Sequence, residues 1–130
     1  MIVDASVAVA WYVELPWSGE ARNLVPAPRL QAPDLILAET ANALWKYVRA
    51  DRLAEELAVA ALDHLATAVV QVPASRMMRE ALALAIARDH PIYDCLYVEL
   101  ARHGDEVLVT ADRRLAALAE RAGIACRHLG

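Results

Sequence analysis

The sequence predicts an α/β protein built around a parallel β-sheet. Short runs of β-branched residues alternate along the chain with longer segments in which apolar residues recur every three or four positions. The first pattern is typical of buried strands and the second of amphipathic helices. Strands and helices that alternate in this way form a parallel sheet, because each helix returns the chain to the edge where the next strand begins.

The predicted strands are short. They comprise residues 2–3, 69–72, 107–109 and 124–126, with residues 30–32 as a weaker candidate. Because each run is too short for a helix and lies between helical patterns, together they predict a small sheet.

The segments between these strands are predicted helices, and their ends carry Pro and Gly signals. Helix starts are marked by Pro33 with Asp34, by residues 73–75 and by Pro91, and helix ends by Gly104 and Gly123. The connections are too short to be linkers, so the whole chain, residues 1–130, is predicted to form one domain.

The composition narrows the class of protein. A hydrophobic share of 58% with 23% charged residues excludes a disordered chain. Cys95 and Cys126 form no CxxC pair, which argues against a disulfide framework or a zinc site. The opening MIVDAS has no secretory pattern, and the apolar run 5–13 is about half of the ~20 residues needed to span a membrane. We expect a cytoplasmic protein.

The charge balance bears on nucleic-acid binding. The formal net charge is -4, so the chain as a whole does not attract a polyanion. Any role on nucleic acid must therefore depend on a local site.

Two acidic residues follow predicted strands at their carboxyl ends. Asp4 comes directly after the first strand, and Asp112 comes shortly after residues 107–109. The carboxyl ends of parallel strands share one edge of the sheet, where α/β proteins bind their ligands. A second interpretation stays open, because these acids, or the neighbouring Ser6 and Thr110, are also residue types that cap helices.

Two further acidic residues lie in predicted helices with apolar surroundings. Glu39 shares one helical face with Asn42 and Lys46, a pattern that alone suggests a solvated stripe. Asp94 occupies the first turn of a helix, where the helix dipole favours a carboxylate in any protein. Its neighbours are apolar or aromatic, so this helix start is expected to be buried and the acid to need a partner.

A doubly wound sheet can bring all four acids into one crevice. Two carboxylates about 4 Å apart repel by about 4 kcal/mol at an effective dielectric of about 20, so such a cluster must be neutralised. Protonation is one solution. Mg²⁺ or Mn²⁺ is the better one, because these hard cations prefer oxygen ligands and need no His or Cys.

Four segments resemble motifs of the PIN-domain ribonucleases, and among these the VapC-type toxins of prokaryotic toxin–antitoxin (VapBC) pairs. They are VDAS (residues 3–6), the Glu39 segment with Asn42, YDCLY (93–97) and TADRR (110–114), in the family's order and approximate spacing. The resemblance covers nearly the whole chain. It implies a three-layer α/β/α domain with a short parallel sheet.

The resemblance also implies an active site that serves both metal binding and catalysis. Its catalytic and metal-binding residues would be Asp4, Glu39, Asp94 and Asp112. Ser6, Asn42 and Thr110 would support them. One or two Mg²⁺ or Mn²⁺ ions would activate the water that hydrolyses an RNA phosphodiester bond, so the implied enzyme is a metal-dependent endoribonuclease.

The implied partners are an RNA substrate, a cognate VapB-type antitoxin that blocks the crevice, and a second copy of the chain in a homodimer, with no membrane. Candidate phosphate contacts are Lys46, Arg49, Arg52, Arg113 and Arg114. Trp11, Tyr12 and Trp17 suit either an interface or the core. The four His residues, at positions 64, 90, 103 and 128, are expected to be surface or structural residues rather than ligands.

Two other functions compete with this interpretation. A haloacid-dehalogenase-like phosphatase also uses a strand-terminal Asp, but it needs a second Asp two residues later, where this chain has Ser6. A PIN-like fold retained only as a binding module is the other alternative, and the intact set of four acids argues against it.

Overall fold

The computed structural model describes residues 1–25 and 29–130. Its sheet is parallel throughout and has the strand order β3-β2-β1-β4-β5. The strands are β1 (Ile2–Val3), β2 (Gln31–Pro33), β3 (Val70–Val72), β4 (Leu108–Thr110) and β5 (Cys126–His128). The fold is a three-layer α/β/α arrangement, as the sequence predicts.

The helices occupy the segments between the strands. They are α1 (Ala5–Ala10), α2 (Ser18–Arg22), α3 (Leu35–Arg49), α4 (Glu55–Ala68), α5 (Met78–Arg88), α6 (Ile92–Gly104) and α7 (Arg113–Arg121), with a 3₁₀ turn at Ala74–Arg76. No helix in the described ranges is long and apolar enough to cross a membrane.

β1 lies where the sequence predicts it, and the boundaries of the other four strands differ from the predicted ones by one or two residues. The predicted strand 124–126 is placed two residues too early, because Gly123 has a φ of 74° and the chain enters the sheet only at Cys126. Residues 30–32 and 107–109 are each one residue early. β-Branched runs predict that a strand exists, whereas the partner strand determines where its hydrogen bonds begin and end.

The order of the strands creates a binding edge at the centre of the sheet. From β1 the chain first adds β2 and β3 on one side, and it later adds β4 and β5 on the other. At such a reversal the following helices diverge and leave a crevice at the carboxyl ends of the strands. Asp4 follows β1 directly, and Thr110 ends β4, so both lie beside this crevice.

The core around this edge is closely packed and buried. Ile2, Val3, Leu108 and Val109 are at most 1% exposed. Residues 95–101 of α6 are all buried as well, so α6 is packed on every side rather than along one stripe. Side chains that α6 directs toward the crevice therefore have little freedom to move.

Candidate active site

Asp4 is a buried carboxylate that accepts three hydrogen bonds. The Ser6 hydroxyl donates to its Oδ1 at 2.6 Å, and the Thr110 hydroxyl donates to its Oδ2 at 2.6 Å. The Val7 backbone N–H donates to Oδ1 at 3.3 Å, which makes Asp4 the N-cap of α1. Capping and a place at the predicted site are therefore compatible roles for this residue.

The two hydroxyls that hold Asp4 are held in turn by the backbone after β4. The Ala111 N–H donates to Ser6 Oγ at 2.8 Å, and the Asp112 N–H donates to Thr110 Oγ1 at 2.9 Å. The ends of two neighbouring strands are thus joined through side chains as well as through the sheet. This network restrains the Asp4 carboxylate in one orientation.

Asp112 is exposed and lies at the N-terminus of α7. Its Oδ1 accepts hydrogen bonds from the backbone N–H groups of Arg114 at 2.8 Å and Leu115 at 3.4 Å. The second oxygen, Oδ2, receives no hydrogen bond from the described residues. The helix terminus stabilises the charge of Asp112, and the carboxylate keeps an oxygen free for a ligand.

Glu39 approaches the crevice from α3 and is half-buried. The hydroxyl of Tyr97, a residue of α6 that is 1% exposed, donates to Glu39 Oε1 at 2.6 Å. Burial, together with the nearby charge of Glu39, raises the pKa of Tyr97 far above its ordinary value. The Tyr97 hydroxyl therefore stays protonated and acts as a donor.

Asp94 lies in the first turn of α6, as the sequence predicts. The ring of His90 contacts it, with 2.7 Å between Nε2 and Asp94 Oδ2. The His90 side chain is only 7% exposed, against 25% for Asp94. His90 is therefore a mostly buried residue, and its contact with Asp94 is the part that the sequence does not predict.

The two contacts made by His90 and Tyr97 were not predicted from the sequence. A weak signal exists for each: His90 and Asp94 are four residues apart across Pro91, and Tyr97 lies three residues after Asp94 on the same helix face. Spacing alone does not show that the Tyr97 hydroxyl reaches a residue of α3, because that contact depends on how α3 and α6 pack.

The acidic groups influence one another. Burial raises the pKa of Asp4 to about 6, against the opposing effect of its hydroxyl donors, and the charge of Asp112 adds to the rise. Burial also raises the pKa of Glu39, and the charges of Asp94 and Asp112 contribute. The structure therefore brings the four sequence-predicted acids into one electrostatic cluster.

Asn42 and Lys46 lie beside the cluster. With Glu39 and Ser6 they line a pocket of about 600 Å³ between α1 and α3. The polar stripe predicted on α3 therefore faces a cavity. Arg49 lies outside this pocket, with its guanidinium 4.8 Å from the centre of the Trp45 ring.

The three aromatic residues near the N-terminus belong mainly to the interior. Trp11 is 9% exposed, and its indole N–H donates to the Ala21 carbonyl at 2.8 Å. Tyr12 and Trp17 are half-buried, and the Trp17 indole N–H donates to the Ser6 carbonyl at 3.0 Å. Trp45 and Tyr93, at 51% and 58%, are the more exposed aromatic residues.

The donor chemistry of the cluster fits a hard divalent cation. Within residues 1–25 and 29–130, no three His, Cys, Asp or Glu side chains are arranged to hold an ion directly. Mg²⁺ commonly binds one or two carboxylates and keeps several waters, so it does not need such a group of three. An ion held partly through water would also offset the charges of Asp94 and Asp112, which add to the effect of burial on the pKa values of Asp4 and Glu39.

Comparison with known proteins identifies the family of this chain. The PIN domain model matches residues 1–121. Ribonuclease VapC3 of Pyrobaculum aerophilum is 36% identical over 120 residues, which cover 89% of this chain and 92% of that protein. The chain belongs to the PIN-domain family, in which this relative is a VapC ribonuclease.

Solved structures show the same fold. Mycobacterium tuberculosis VapC20, described as a Sarcin-Ricin loop cleaving toxin, superposes with a TM-score of 0.74 at 21% identity, covering 95% of each chain. A chain of VapBC2 from Rickettsia felis, solved with a DNA fragment from its promoter, gives 0.67 at 13% identity over 99% of this chain and 98% of its own. The fold and the family resemblance predicted from the sequence are confirmed.

Proposed function

We propose that this protein is a metal-dependent endoribonuclease that acts in the cytoplasm as the toxin of a toxin–antitoxin pair. The observation that carries the proposal is the shared electrostatics of Asp4, Glu39, Asp94 and Asp112 at the reversal point of the sheet. Acids that influence one another electrostatically at a sheet edge, with hydroxyl and imidazole groups contacting Asp4, Glu39 and Asp94, suit the binding of a cation rather than the stabilisation of the fold. The ribonuclease names of the relatives support the reaction type.

In this proposal Asp4, Asp94 and Asp112 hold Mg²⁺ or Mn²⁺ directly or through water. When bound, a divalent cation lowers the pKa of water, offsets phosphate charge and aligns in-line attack. One or two ions per site are compatible with the four acids.

Glu39 has a distinct role. One of its oxygens accepts the Tyr97 hydroxyl, and the other is free to accept a proton or to orient water. Ser6 and Thr110 act on the reaction through Asp4, because their hydroxyls fix its two oxygens. Asn42 is positioned beside Glu39, where its amide can contact the RNA strand.

Exposed basic side chains near the crevice supply the local attraction that the net charge does not. Arg113 and Arg114 follow Asp112 at the start of α7, and Lys46 and Arg52 line the pocket beside Glu39. Contacts to phosphate position a strand without reading its sequence.

We propose an antitoxin of the VapB type as the protein partner. A structural neighbour is a VapBC2 complex, and this chain has an apolar groove of about 340 Å³ between α3 and α4. Trp45 and Val59 line the groove and are 51% and 58% exposed. An apolar segment bound there would adjoin the helix that carries Glu39, and replacing Trp45 with Asp should abolish that complex.

We also propose a homodimer. Met78, Leu82 and Ile86 form a stripe along α5 and are 44%, 54% and 74% exposed. Residues four apart lie on the same helix face, so the stripe presents a continuous apolar surface that a second copy can cover. Light scattering should give the mass of a dimer for the natural chain and that of a monomer after Ile86→Glu.

The ribonuclease proposal is tested by incubating the purified protein with a panel of structured RNAs in Mg²⁺, Mn²⁺ or EDTA. We expect endonucleolytic cutting that EDTA abolishes, without 2′,3′-cyclic phosphate ends, because water rather than the 2′-hydroxyl attacks the phosphate. Cutting that continues in EDTA would contradict the proposal. Tight metal binding with no cutting of any RNA would favour the non-catalytic binding module.

A further inference from the structure

The pocket between α1 and α3 extends the acidic crevice beyond the four carboxylates. It has a volume of about 600 Å³ and opens beside Ser6 and Glu39. Along α3 its wall continues through Asn42 and Lys46 to Arg52, just past the end of the helix. The volume lies in the range of about 300–1,000 Å³ in which proteins enclose ligands the size of a nucleotide.

The chemistry of the wall changes along the pocket. Glu39 is at the end nearest the cluster, and Lys46 is seven residues further along α3, about 10 Å away at 1.5 Å per residue. The ion pairs found in the described ranges include neither Lys46 nor Arg52. Both cations are thus available to an anionic group that lies beyond the acidic end.

Aromatic side chains accompany these cations. Trp17 is anchored by the hydrogen bond from its indole N–H to the Ser6 carbonyl, at 3.0 Å, and its ring lines the pocket. Tyr47 lines it as well, with the Arg52 guanidinium 5.1 Å from its ring centre. Flat aromatic and guanidinium surfaces beside cations are the combination that binds single-stranded nucleic acid.

We propose that this pocket receives one unpaired nucleotide of the RNA strand next to the scissile phosphate. The base stacks against Trp17, and the phosphate beyond it contacts Lys46 and Arg52. The proposal rests on the ribonuclease function and deepens it, because it names the side chains of this chain that bind the nucleotide beside the cut. In a duplex the bases are stacked inside and cannot enter a pocket between two helices.

The test measures RNA binding rather than cleavage, so that it does not depend on the reaction. The probe is a fluorescein-labelled single-stranded RNA of ten nucleotides, titrated by anisotropy with full-length Asp4→Asn protein in Mg²⁺. In this background we compare Lys46→Ala with Arg49→Ala, which removes the same charge from the same helix outside the pocket. We expect Lys46→Ala to weaken binding by about tenfold and Arg49→Ala by less than about threefold.

Trp17 supplies the second comparison. Trp17→Phe keeps an aromatic ring and Trp17→Leu does not, whereas both lose the bond to the Ser6 carbonyl. We expect Trp17→Leu to bind the probe about tenfold more weakly than Trp17→Phe, because base stacking on an aromatic ring contributes on this scale. The same RNA annealed to its complement should compete poorly with the single strand.

Each result decides the proposal. Equal weakening by Lys46→Ala and Arg49→Ala, with no difference between the two Trp17 variants, would show binding by surface charge alone and overturn it. Absence of RNA binding would also overturn the nucleotide-pocket proposal. The pocket would then be a candidate binding site for a segment of the antitoxin. If the natural protein cuts RNA while these variants bind normally, the ribonuclease proposal stands and only the nucleotide pocket fails. If binding depends on the pocket but the natural protein cuts no RNA, the nucleotide pocket stands and the ribonuclease proposal fails.

Discussion

The Tyr97 hydroxyl donates a hydrogen bond of 2.6 Å to Glu39 Oε1, which joins α6 to α3 across the crevice. The two residues are 58 positions apart in the chain. Tyr97 is buried, and its pKa is raised well above the ordinary value, so the hydroxyl always presents its proton to Glu39. The Glu39 carboxylate is therefore held in one orientation by a donor that keeps its proton.

We predict that Tyr97→Phe weakens binding of Mn²⁺ by about tenfold, because a hydrogen bond to a charged group contributes about 1.5–3 kcal/mol. The Phe ring preserves the packing of α6 but leaves the half-buried Glu39 without its donor, so the free energy of unfolding should fall by no more than about 1.5–3 kcal/mol. Isothermal titration calorimetry measures the affinity for Mn²⁺, and urea unfolding measures the free energy of unfolding. Tyr93→Phe, on the same helix with an exposed side chain, is the matched control and should bind Mn²⁺ normally.

The Thr110 hydroxyl is predicted to contribute to the free energy of unfolding through two hydrogen bonds. It donates to Asp4 and accepts from the Asp112 backbone N–H, so Thr110→Val leaves the buried Asp4 Oδ2 and the partly buried Asp112 N–H without these partners. We expect a loss of about 1–3 kcal/mol in the free energy of unfolding. Thr67→Val, which removes an exposed hydroxyl bonded to the His64 carbonyl, should cost much less, and equal losses would contradict this account.

The burial of Asp4 predicts a pH-dependent stability. Its pKa is about 6 in the folded protein against an ordinary value of 3.8, so the folded state binds the proton more tightly than the unfolded state. The stabilisation is present below pH ~4 and is lost as the pH rises through about 6, a change of about 3 kcal/mol. Asp4→Asn removes the titrating group. The introduced amide can donate to Thr110 Oγ1 in place of the lost bond to Oδ2, because the Thr110 hydroxyl can then donate to Ser6 instead.

Urea unfolding in EDTA between about pH 4 and pH 7.5 measures this effect. The variant should gain stability relative to the natural chain as the pH rises through 6, and added Mg²⁺ should reduce the difference. A stability difference that does not change with pH would show that the folded protein does not raise the pKa of Asp4.

His90 is predicted to position Asp94. His90→Leu removes the contact to Asp94 Oδ2 and should weaken Mn²⁺ binding by about 10–100-fold, the usual effect of losing a group that orients a metal ligand. His90→Gln keeps an N–H donor and should recover most of the affinity. His103→Leu changes an exposed His at the far end of α6, the helix that carries Asp94, and should have no effect. A His90→Gln variant as weak as His90→Leu would point to a packing role instead.

Much of the architecture follows from local patterns. Residues 2–3 are apolar and are followed at once by Asp4, and this pattern predicts both the strand and the acid at its end. Glu39 and Asp94 were predicted from charge in apolar surroundings together with the family resemblance. The assignment of residues 1–130 to one domain stays a prediction, as does the catalytic role of the four acids.

The parts that the sequence did not reveal are contacts between distant segments. The Tyr97 to Glu39 bond requires α6 and α3 to pack at one particular distance, and no local pattern encodes that distance. The Ser6 hydroxyl accepts a hydrogen bond from the Ala111 backbone N–H, 105 residues away. The supporting role of Ser6 was therefore inferred only from the family resemblance. The pocket beside α3 depends in the same way on how Trp17 folds back against α1.

The central claim is that the acidic cluster cuts RNA with a bound divalent cation. The most direct measurement compares the natural chain with Asp4→Asn on one RNA substrate in Mn²⁺, with circular dichroism to establish that both are folded. We expect the natural protein to cut, EDTA to abolish cutting, and the folded variant to be inactive. Equal cutting by the two proteins would contradict the claim and remove Asp4 from the reaction.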